Sequence, residues 1–150
     1  MIKVALAHAM WTHGTSMQIE FPDRINSVWR AGFYTQVDGE LGTENWFHFA
    51  IPTSVIVDDK RLRVGSVMVV FRTGSADAIV RDIHIYDGEQ KIAEHNGVNL
   101  SGNIGFKRFD VPTHPSVKFG IGISIGVKFG TNKNASHIMK FVTAGCDFIP

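Results

Sequence analysis

Residues 42–53 read GTENWFHFAIPT, and the spacing of their apolar side chains indicates the fold class of the chain. Phe47, Phe49 and Ile51 follow one another at every second position. Side chains two residues apart lie on the same face of an extended strand, so these three share one face. Pro52 ends the run because it has no N–H to donate to a central ladder. The stretch therefore predicts a β-strand with one buried face.

The same two-residue alternation recurs along most of the chain, whereas helical periodicity hardly appears. It is clear in SMQIEFP at 16–22 and in AIVRDIHIYDG at 78–88. Turn-forming pairs separate the runs, and the pair at Asp87 and Gly88 predicts a hairpin whose return arm is EQKIAEHNG. About nine strands with this spacing predict an all-β fold, an antiparallel β-sandwich that is jelly-roll-like and has little helix. We expect residues 1–150 to form this single domain.

Charge and cysteine content exclude several classes of function. The sequence has 15 Lys and Arg residues against 14 Asp and Glu residues, so no strong field would attract nucleic acid or an anionic membrane. Cys146 is the only cysteine, which rules out an intrachain disulfide and fits a reducing compartment. Its expected state is a buried, unreactive thiol. No apolar segment approaches membrane-spanning length, and we expect a cytoplasmic protein without a cofactor.

Two of the predicted strands carry aromatic and polar side chains on their outer faces. In the first strand, Trp46 and His48 lie opposite the buried face. In the second, Asp82, His84 and Tyr86 alternate with apolar residues. If the two strands belong to one sheet, these five side chains form a single surface, which we call the aromatic-polar surface. It is the predicted ligand-binding site.

The histidines of this surface raise the alternative of a metal or acid-base site. Two imidazoles and a carboxylate would suit zinc or iron, and the alternative ligand set is His48, His84 and Asp82. Solvated or hydrogen-bonded histidines are the commoner situation, so we expect no metal. The chain contains no GxSxG elbow, no Walker loop and no HExxH motif. The sequence therefore identifies no catalytic residue.

The segment FGIGISIGVKFG, residues 119–130, has isoleucines on one face and almost no side chains on the other. The bare face, which we call the glycine strip, consists of Gly120, Gly122, Ser124 and Gly126. Glycine weakens a strand unless another group needs the space. Aromatic rings of the same chain, from Trp11, Trp29 or Phe33, are the favoured cover. The alternatives are an oligomer contact and a shallow binding groove.

Several blocks of the sequence carry a resemblance to a known group of proteins. They are HAMWTHG, GELGTENWFHFAIPTSVIVDD, VRDIHIYDG and NLSGN, of which GTENWFHFAIP is the most specific. With these blocks the chain resembles a family of small bacterial all-β proteins that has no established activity. The resemblance implies an all-β fold and supplies no catalytic residues.

Two classes of function remain. The sequence favours a non-catalytic binding or self-assembling β-sandwich module, with lectin-like recognition of a polar ligand such as a carbohydrate through the aromatic-polar surface. The alternative is a small histidine-based enzyme, with or without a metal, that uses His48, Asp82 and His84. We also expect a homo-oligomer, most simply a two-fold dimer, because the strands offer much apolar surface.

Overall fold

The computed structural model describes residues 8–150, which form an antiparallel β-sandwich. Its strands are β1 His8–His13, β2 Gln18–Ile19, β3 Ile25–Arg30, β4 Thr35–Gly39, β5 Glu44–Ile51, β6 Ile56–Val57, β7 Lys60–Arg61, β8 Arg63–Thr73, β9 Ala78–Asp87, β10 Gln90–Leu100, β11 Asn103–Asp110, β12 Ile121–Phe129 and β13 Ile138–Ile149. Single 3-10 turns occupy Gly14–Ser16 and Pro22–Arg24. Over these residues no helix has the length and hydrophobicity that a membrane span requires.

The strands form two principal sheets in jelly-roll order. Sheet A has the order β11-β8-β13-β4-β3, with β1 also paired to β13, and sheet B has the order β10-β9-β12-β5-β2. From β4 onward, the strands of the two sheets alternate along the chain except at the β9-β10 hairpin, which is the connectivity of a jelly roll. The predicted antiparallel β-sandwich is confirmed.

The strand count exceeds the predicted nine because short elements carry too little alternation to be recognised. The run VWRAGFYTQV at 28–37 is rich in β-forming residues like a single strand, but it comprises parts of β3 and β4. The Ala31 N–H donates to the Tyr34 carbonyl and closes a tight turn around Gly32 and Phe33. Because this run forms a hairpin, its aromatic residues lie at the end of sheet A.

The core lies between the sheets and takes the apolar faces of β5, β8, β9, β12 and β13, with partly buried residues of β10 packed against it. Phe47, Phe49 and Ile51 of β5 are buried, as their alternation predicts. The ring of Phe47 lies 4.7 Å from that of Phe141 on β13, so the contact joins the two sheets. Burying a side chain of this size contributes roughly 1.5 to 3 kcal/mol. This energy fixes the register of β5 and leaves Trp46 and His48 on the outer face.

The predicted hairpin at Asp87 and Gly88 is present between β9 and β10, where Gln90 pairs with Asp87. Gly88 has a φ of 59°, a left-handed conformation that glycine adopts without strain. The Asp87 carboxylate accepts hydrogen bonds from the backbone N–H groups of Lys118, Phe119 and Gly120. This carboxylate therefore attaches the segment that leads into β12 to the end of β9.

Cys146 has a buried side chain on the core face of β13. Burial, with a smaller contribution from the neighbouring Asp147, raises the pKa of its thiol to about 12. We expect the folded protein to react negligibly with a thiol-specific disulfide reagent at mildly alkaline pH and to react fully in denaturant, because only the thiolate attacks. Stoichiometric labelling of the native protein within minutes would contradict this assignment.

Candidate functional site

The outer face of sheet B brings the predicted residues together in cross-strand rows. In the middle row, Ser124 of β12 is in register with His84 of β9 on one side and with His48 of β5 on the other. Adjacent strands lie about 4.8 Å apart, so the two histidine backbones are roughly 10 Å apart. Ser124 therefore separates the two histidines.

The flanking rows place the other predicted residues on the same face. Gly126 is in register with Asp82 and with Trp46, and Gly122 is in register with Tyr86 on its β9 side. The aromatic-polar surface is thus one continuous face of three neighbouring strands, with the glycine strip along its middle. The prediction of this surface required the two strands to share a sheet, and β5 and β9 do belong to one sheet.

His48 is held by hydrogen bonds at both ring nitrogens. Its Nε2 lies 2.9 Å from Oε1 of Glu20, and its Nδ1 lies 2.8 Å from the Ser124 hydroxyl. Because a carboxylate only accepts, Nε2 donates to Glu20, and when the ring is neutral Nδ1 accepts from the Ser124 hydroxyl. The side chain of His48 is 37% exposed. His48 is therefore a fixed and partly accessible surface group.

His84 lies deeper in the same face. Its Nε2 donates to Oδ1 of Asn96 at 2.8 Å, and a Glu94 carboxylate oxygen lies 3.7 Å away. Its ring lies 4.8 Å from that of Trp46 at an interplanar angle of 47°. The side chain is 15% exposed. These contacts hold the Trp46 ring from one side.

Trp46 covers part of the glycine strip. A Cβ at Gly126 would lie 2.9 Å from the Trp46 ring, so the ring depends on the missing side chain for its position. His48 covers Ser124 in the same way, through their hydrogen bond. At Gly120 and Gly122 an added Cβ would approach no atom closer than 3.9 Å, and this part of the strip is open.

A ring of the same chain covers Gly126, as expected, but the three aromatic residues named for this role lie elsewhere. Trp11 lies against Gly145 of β13 in sheet A. Trp29 and Phe33 belong to the β3-β4 hairpin at the end of sheet A, where their rings contact each other. The covering ring comes from β5 because Trp46 is the cross-strand neighbour of Gly126.

Two depressions adjoin the Trp46 ring. The larger has a volume of about 530 Å³ and is lined by Glu20, Trp46, His48, His84, Tyr86, Lys91 and Ser124. The smaller, of about 110 Å³, is lined by Glu44, Asn45, Trp46, Arg81, Asp82, Gly126 and Val127. The larger volume falls within the range of small-molecule sites, roughly 300 to 1,000 Å³.

Glu20 and Lys91 line the larger depression but are absent from the predicted site. Glu20 directly follows β2, and the alternation of residues 16–22 places it on the outer side, which was a usable signal. Lys91 pairs with Tyr86 across the β9-β10 hairpin, and its Nζ is 2.7 Å from a Glu94 carboxylate oxygen. The hydrogen bond to Glu94 raises the pKa of Lys91, and the same bond lowers the pKa of Glu94. Both groups are therefore charged at neutral pH.

The alternative metal ligands do not converge. Both ring nitrogens of His48 are bonded within the protein, and the Asp82 carboxylate accepts from the Gly97 N–H at 3.2 Å. Across residues 8–150, no group of three His, Cys, Asp or Glu side chains is arranged to hold a metal ion. The arrangement provides fixed hydrogen-bonding groups around an aromatic ring.

The amino-acid sequence matches the model of one protein family. A model described as a family of unknown function, DUF6623, matches residues 6–148. A search of curated proteins gives no significant match.

Solved structures resemble the chain in sheet arrangement only. A family 29 carbohydrate-binding module from Piromyces equi is 9% identical, with a TM-score of 0.42 and coverage of 91% of this chain and 90% of that one. An exo-beta-1,3-galactanase from Phanerochaete chrysosporium is 13% identical with a TM-score of 0.45, and the match covers 95% of this chain but 30% of the galactanase. The glycoside hydrolase domain of Endo-D from Streptococcus pneumoniae R6 is 8% identical with a TM-score of 0.49, over 87% of this chain and 21% of that one. Similarities at this level carry no argument about ligand or activity.

Proposed function

This chain belongs to the DUF6623 family of unknown function, and we propose that it is a non-catalytic module that binds a carbohydrate on the outer face of sheet B. The observation that carries the proposal is the Trp46 ring, which lies over Gly126, contacts His84 and borders both depressions. Indole rings provide a large apolar area at little cost in conformational entropy, and sugar C–H groups pack well on such a face. We assign Trp46 as the stacking platform.

The side chains around the platform match the hydrogen-bonding character of sugar hydroxyls. A hydroxyl both donates and accepts, so its site needs both kinds of partner. The larger depression offers the Glu20 carboxylate as acceptor, the Lys91 ammonium as donor, and the Tyr86 hydroxyl as either. His48 is held in place by its two hydrogen bonds, which lowers the entropy lost on binding.

The open part of the glycine strip adjoins this site on the Tyr86 side. Gly122 leaves the backbone of β12 uncovered between Tyr86 of β9 and Ala50 of β5, and Gly120 leaves the residue before β12 uncovered. A ligand can therefore approach the sheet closely beside the Trp46 ring. Because the ring borders a depression on either side, we propose a ligand longer than one sugar unit.

The proposal is tested by titrating the protein with cellohexaose, xylohexaose, mannohexaose, laminarihexaose and galactohexaose in a calorimeter. We expect at least one neutral oligosaccharide to bind at one site per chain, with a negative heat-capacity change from apolar stacking. Absence of binding across these backbones would overturn the carbohydrate assignment. Elemental analysis of the purified protein addresses the enzyme alternative, because stoichiometric zinc or iron would favour it.

Substituting Gly126 by Val tests the platform without removing any polar group. The added side chain must displace the Trp46 ring, since even a Cβ would lie 2.9 Å from it. We expect affinity for the bound oligosaccharide to fall by about tenfold, corresponding to about 1.4 kcal/mol. The matched control is Gly105→Val on β11, where nothing lies within 4 Å of an added Cβ. Equal affinities for the two variants would contradict the assigned ring position.

Association of two copies remains a prediction, and we propose the edge strand β3 as its contact. Val28 on this strand is 45% exposed, and among residues 8–150 β3 is the terminal strand of sheet A. An unpaired strand edge with apolar side chains favours pairing with a second copy. We expect light scattering at micromolar concentration to give a dimer mass, and Val28→Lys to give the monomer mass. A strictly monomeric wild-type protein would remove this proposal.

A further inference from the structure

A second cluster of polar side chains lies on the outer face of sheet A, on the opposite side of the sandwich from Trp46. Lys140 of β13 is in register with Arg72 of β8. The row continues on one side to Asn103 of β11 and on the other to Gln36 of β4. Trp29 of β3 completes the row beside Gln36. Two cations are thus direct cross-strand neighbours, flanked by amides and ending in an aromatic ring.

The pairing of two like charges is unfavourable unless something neutralises them. Side chains in register have Cβ atoms about 5 Å apart, and like charges directly opposite destabilise a sheet. Among residues 8–150, neither Lys140 nor Arg72 forms an ion pair with a carboxylate. Arg72 instead donates from Nε to Oδ1 of Asn103 at 3.0 Å, and Lys140 Nζ lies 5.3 Å from the Tyr34 ring.

The nearest acidic position in the strand pairing does not neutralise them. Asp38 lies two residues along β4 from Gln36, but it is in register with Ile138 and not with Lys140. It makes no ion pair with either cation within 4.0 Å. The positive charge of the pair therefore faces outward.

A depression of about 410 Å³ lies at this pair, and no carboxylate lines it. Its polar walls include Gln36, Asn103 and the Ser136 hydroxyl. Since Oδ1 of Asn103 accepts from Arg72, the amide N–H groups of Asn103 are the part left to donate to a ligand. Gly74 and Gly102 at the wall present backbone in place of side chains. The lining is rich in donors and carries a double positive charge.

We propose that this depression binds an organic oxyanion, a carboxylate, sulfate or phosphate, between Lys140 Nζ and the Arg72 guanidinium. A guanidinium matches the geometry of two oxygens of one anion, and an ammonium supplies a second charge. Trp29 is two strands from Lys140, about 10 Å, and half of its surface is exposed. The ligand body extends from the anion along the row toward this ring. This site does not depend on the function proposed for sheet B, because the two sites share no residue.

Anion titrations at constant ionic strength test the proposal, with inorganic sulfate, inorganic phosphate, acetate, 4-nitrophenyl sulfate and 4-nitrophenyl phosphate as probes in a chloride background. We expect sulfate and phosphate to raise the melting temperature more than chloride does. We also expect the aryl esters to bind about tenfold more tightly than the inorganic ions. Trp29→Ala should remove the advantage of the aryl esters only, whereas Lys140→Met and Arg72→Gln should weaken binding of every probe at least tenfold.

The matched control is Lys128→Met, which removes one exposed lysine from β12 in the other sheet. It should bind all probes as the wild type does. Without added anion at low ionic strength, Lys140→Met should melt no lower than the wild type, because the variant loses a like-charge pair. The proposed site would be disproved if Lys140→Met and Lys128→Met bound the anions equally well. It would also be disproved if chloride raised the melting temperature of the wild type as much as sulfate does.

Discussion

We expect replacement of Trp46 by Ala to lower the proposed carbohydrate affinity about a hundredfold and to leave the sandwich folded. The loss combines the burial energy of an aromatic side chain with the additional energy of ring packing, about 3 kcal/mol in total, or roughly a hundredfold in affinity. The fold survives because Trp46 lies on the outer face, whereas its neighbours Phe47 and Phe49 supply the core contacts of β5. Calorimetric titration and a melting curve measure the two effects separately.

Two further variants make this prediction specific. Trp46→Phe keeps an aromatic face and should retain part of the affinity. Trp29→Ala removes another half-exposed tryptophan, on sheet A, and should leave carbohydrate binding unchanged. Undiminished binding by Trp46→Ala would show that the ligand is held elsewhere on the protein.

Replacing Asp87 by Ala gives the largest loss of stability that we expect from any polar substitution on sheet B. Burial of the Asp87 carboxyl opposes its ionisation, but hydrogen bonds from the Phe119, Lys118 and Gly120 backbone N–H groups, together with the Lys118 charge, outweigh it and lower its pKa. Hydrogen bonds to a charged group contribute about 1.5 to 3 kcal/mol each and are not additive. We therefore expect the free energy of unfolding to fall by about 3 kcal/mol.

The pH dependence of this loss has a definite sign. A carboxyl whose pKa is lower in the folded state than in the unfolded state stabilises the fold above the unfolded value, which is about 3.9 for Asp. That stabilisation disappears as the pH falls through the folded pKa. The difference in stability between wild type and Asp87→Ala should therefore be full at neutral pH and shrink in acid.

Chemical denaturation of both proteins, from neutral pH down to strongly acidic pH, checks the prediction. The control is Asp110→Ala, whose side chain is exposed at the end of β11. It should cost little stability at any pH. A constant difference between wild type and Asp87→Ala down to strongly acidic pH would show that the carboxylate charge contributes nothing.

The sequence predicts the faces of this protein better than the contacts on them. Alternation places Phe47 and Phe49 inside and His48 outside because a register slip would expose three large apolar side chains. The same alternation put Asp82 and His84 on an outer face. β12 pairs with both β5 and β9 and so brings the two strands together. Alternation within one strand cannot specify which strands pair.

The contacts that sequence reasoning missed depend on pairing between distant segments. Trp46 covers Gly126 because they are cross-strand neighbours, although the sequence pointed to Trp11, Trp29 or Phe33. Lys91 enters the site through the β9-β10 hairpin. The pairing of Lys140 with Arg72 likewise leaves no local signal, because each residue alone is an ordinary outer-face charge in a strand.

We propose that the outer face of sheet B binds a carbohydrate through Trp46. The most direct test is a proton-nitrogen NMR titration of the labelled protein with the oligosaccharide that binds in calorimetry. We expect the largest shifts at the Trp46 indole N–H and at the amides of β5, β9 and β12 around Ser124 and Gly126. An unshifted Trp46 indole, with changes confined to sheet A or to the loops, would contradict it.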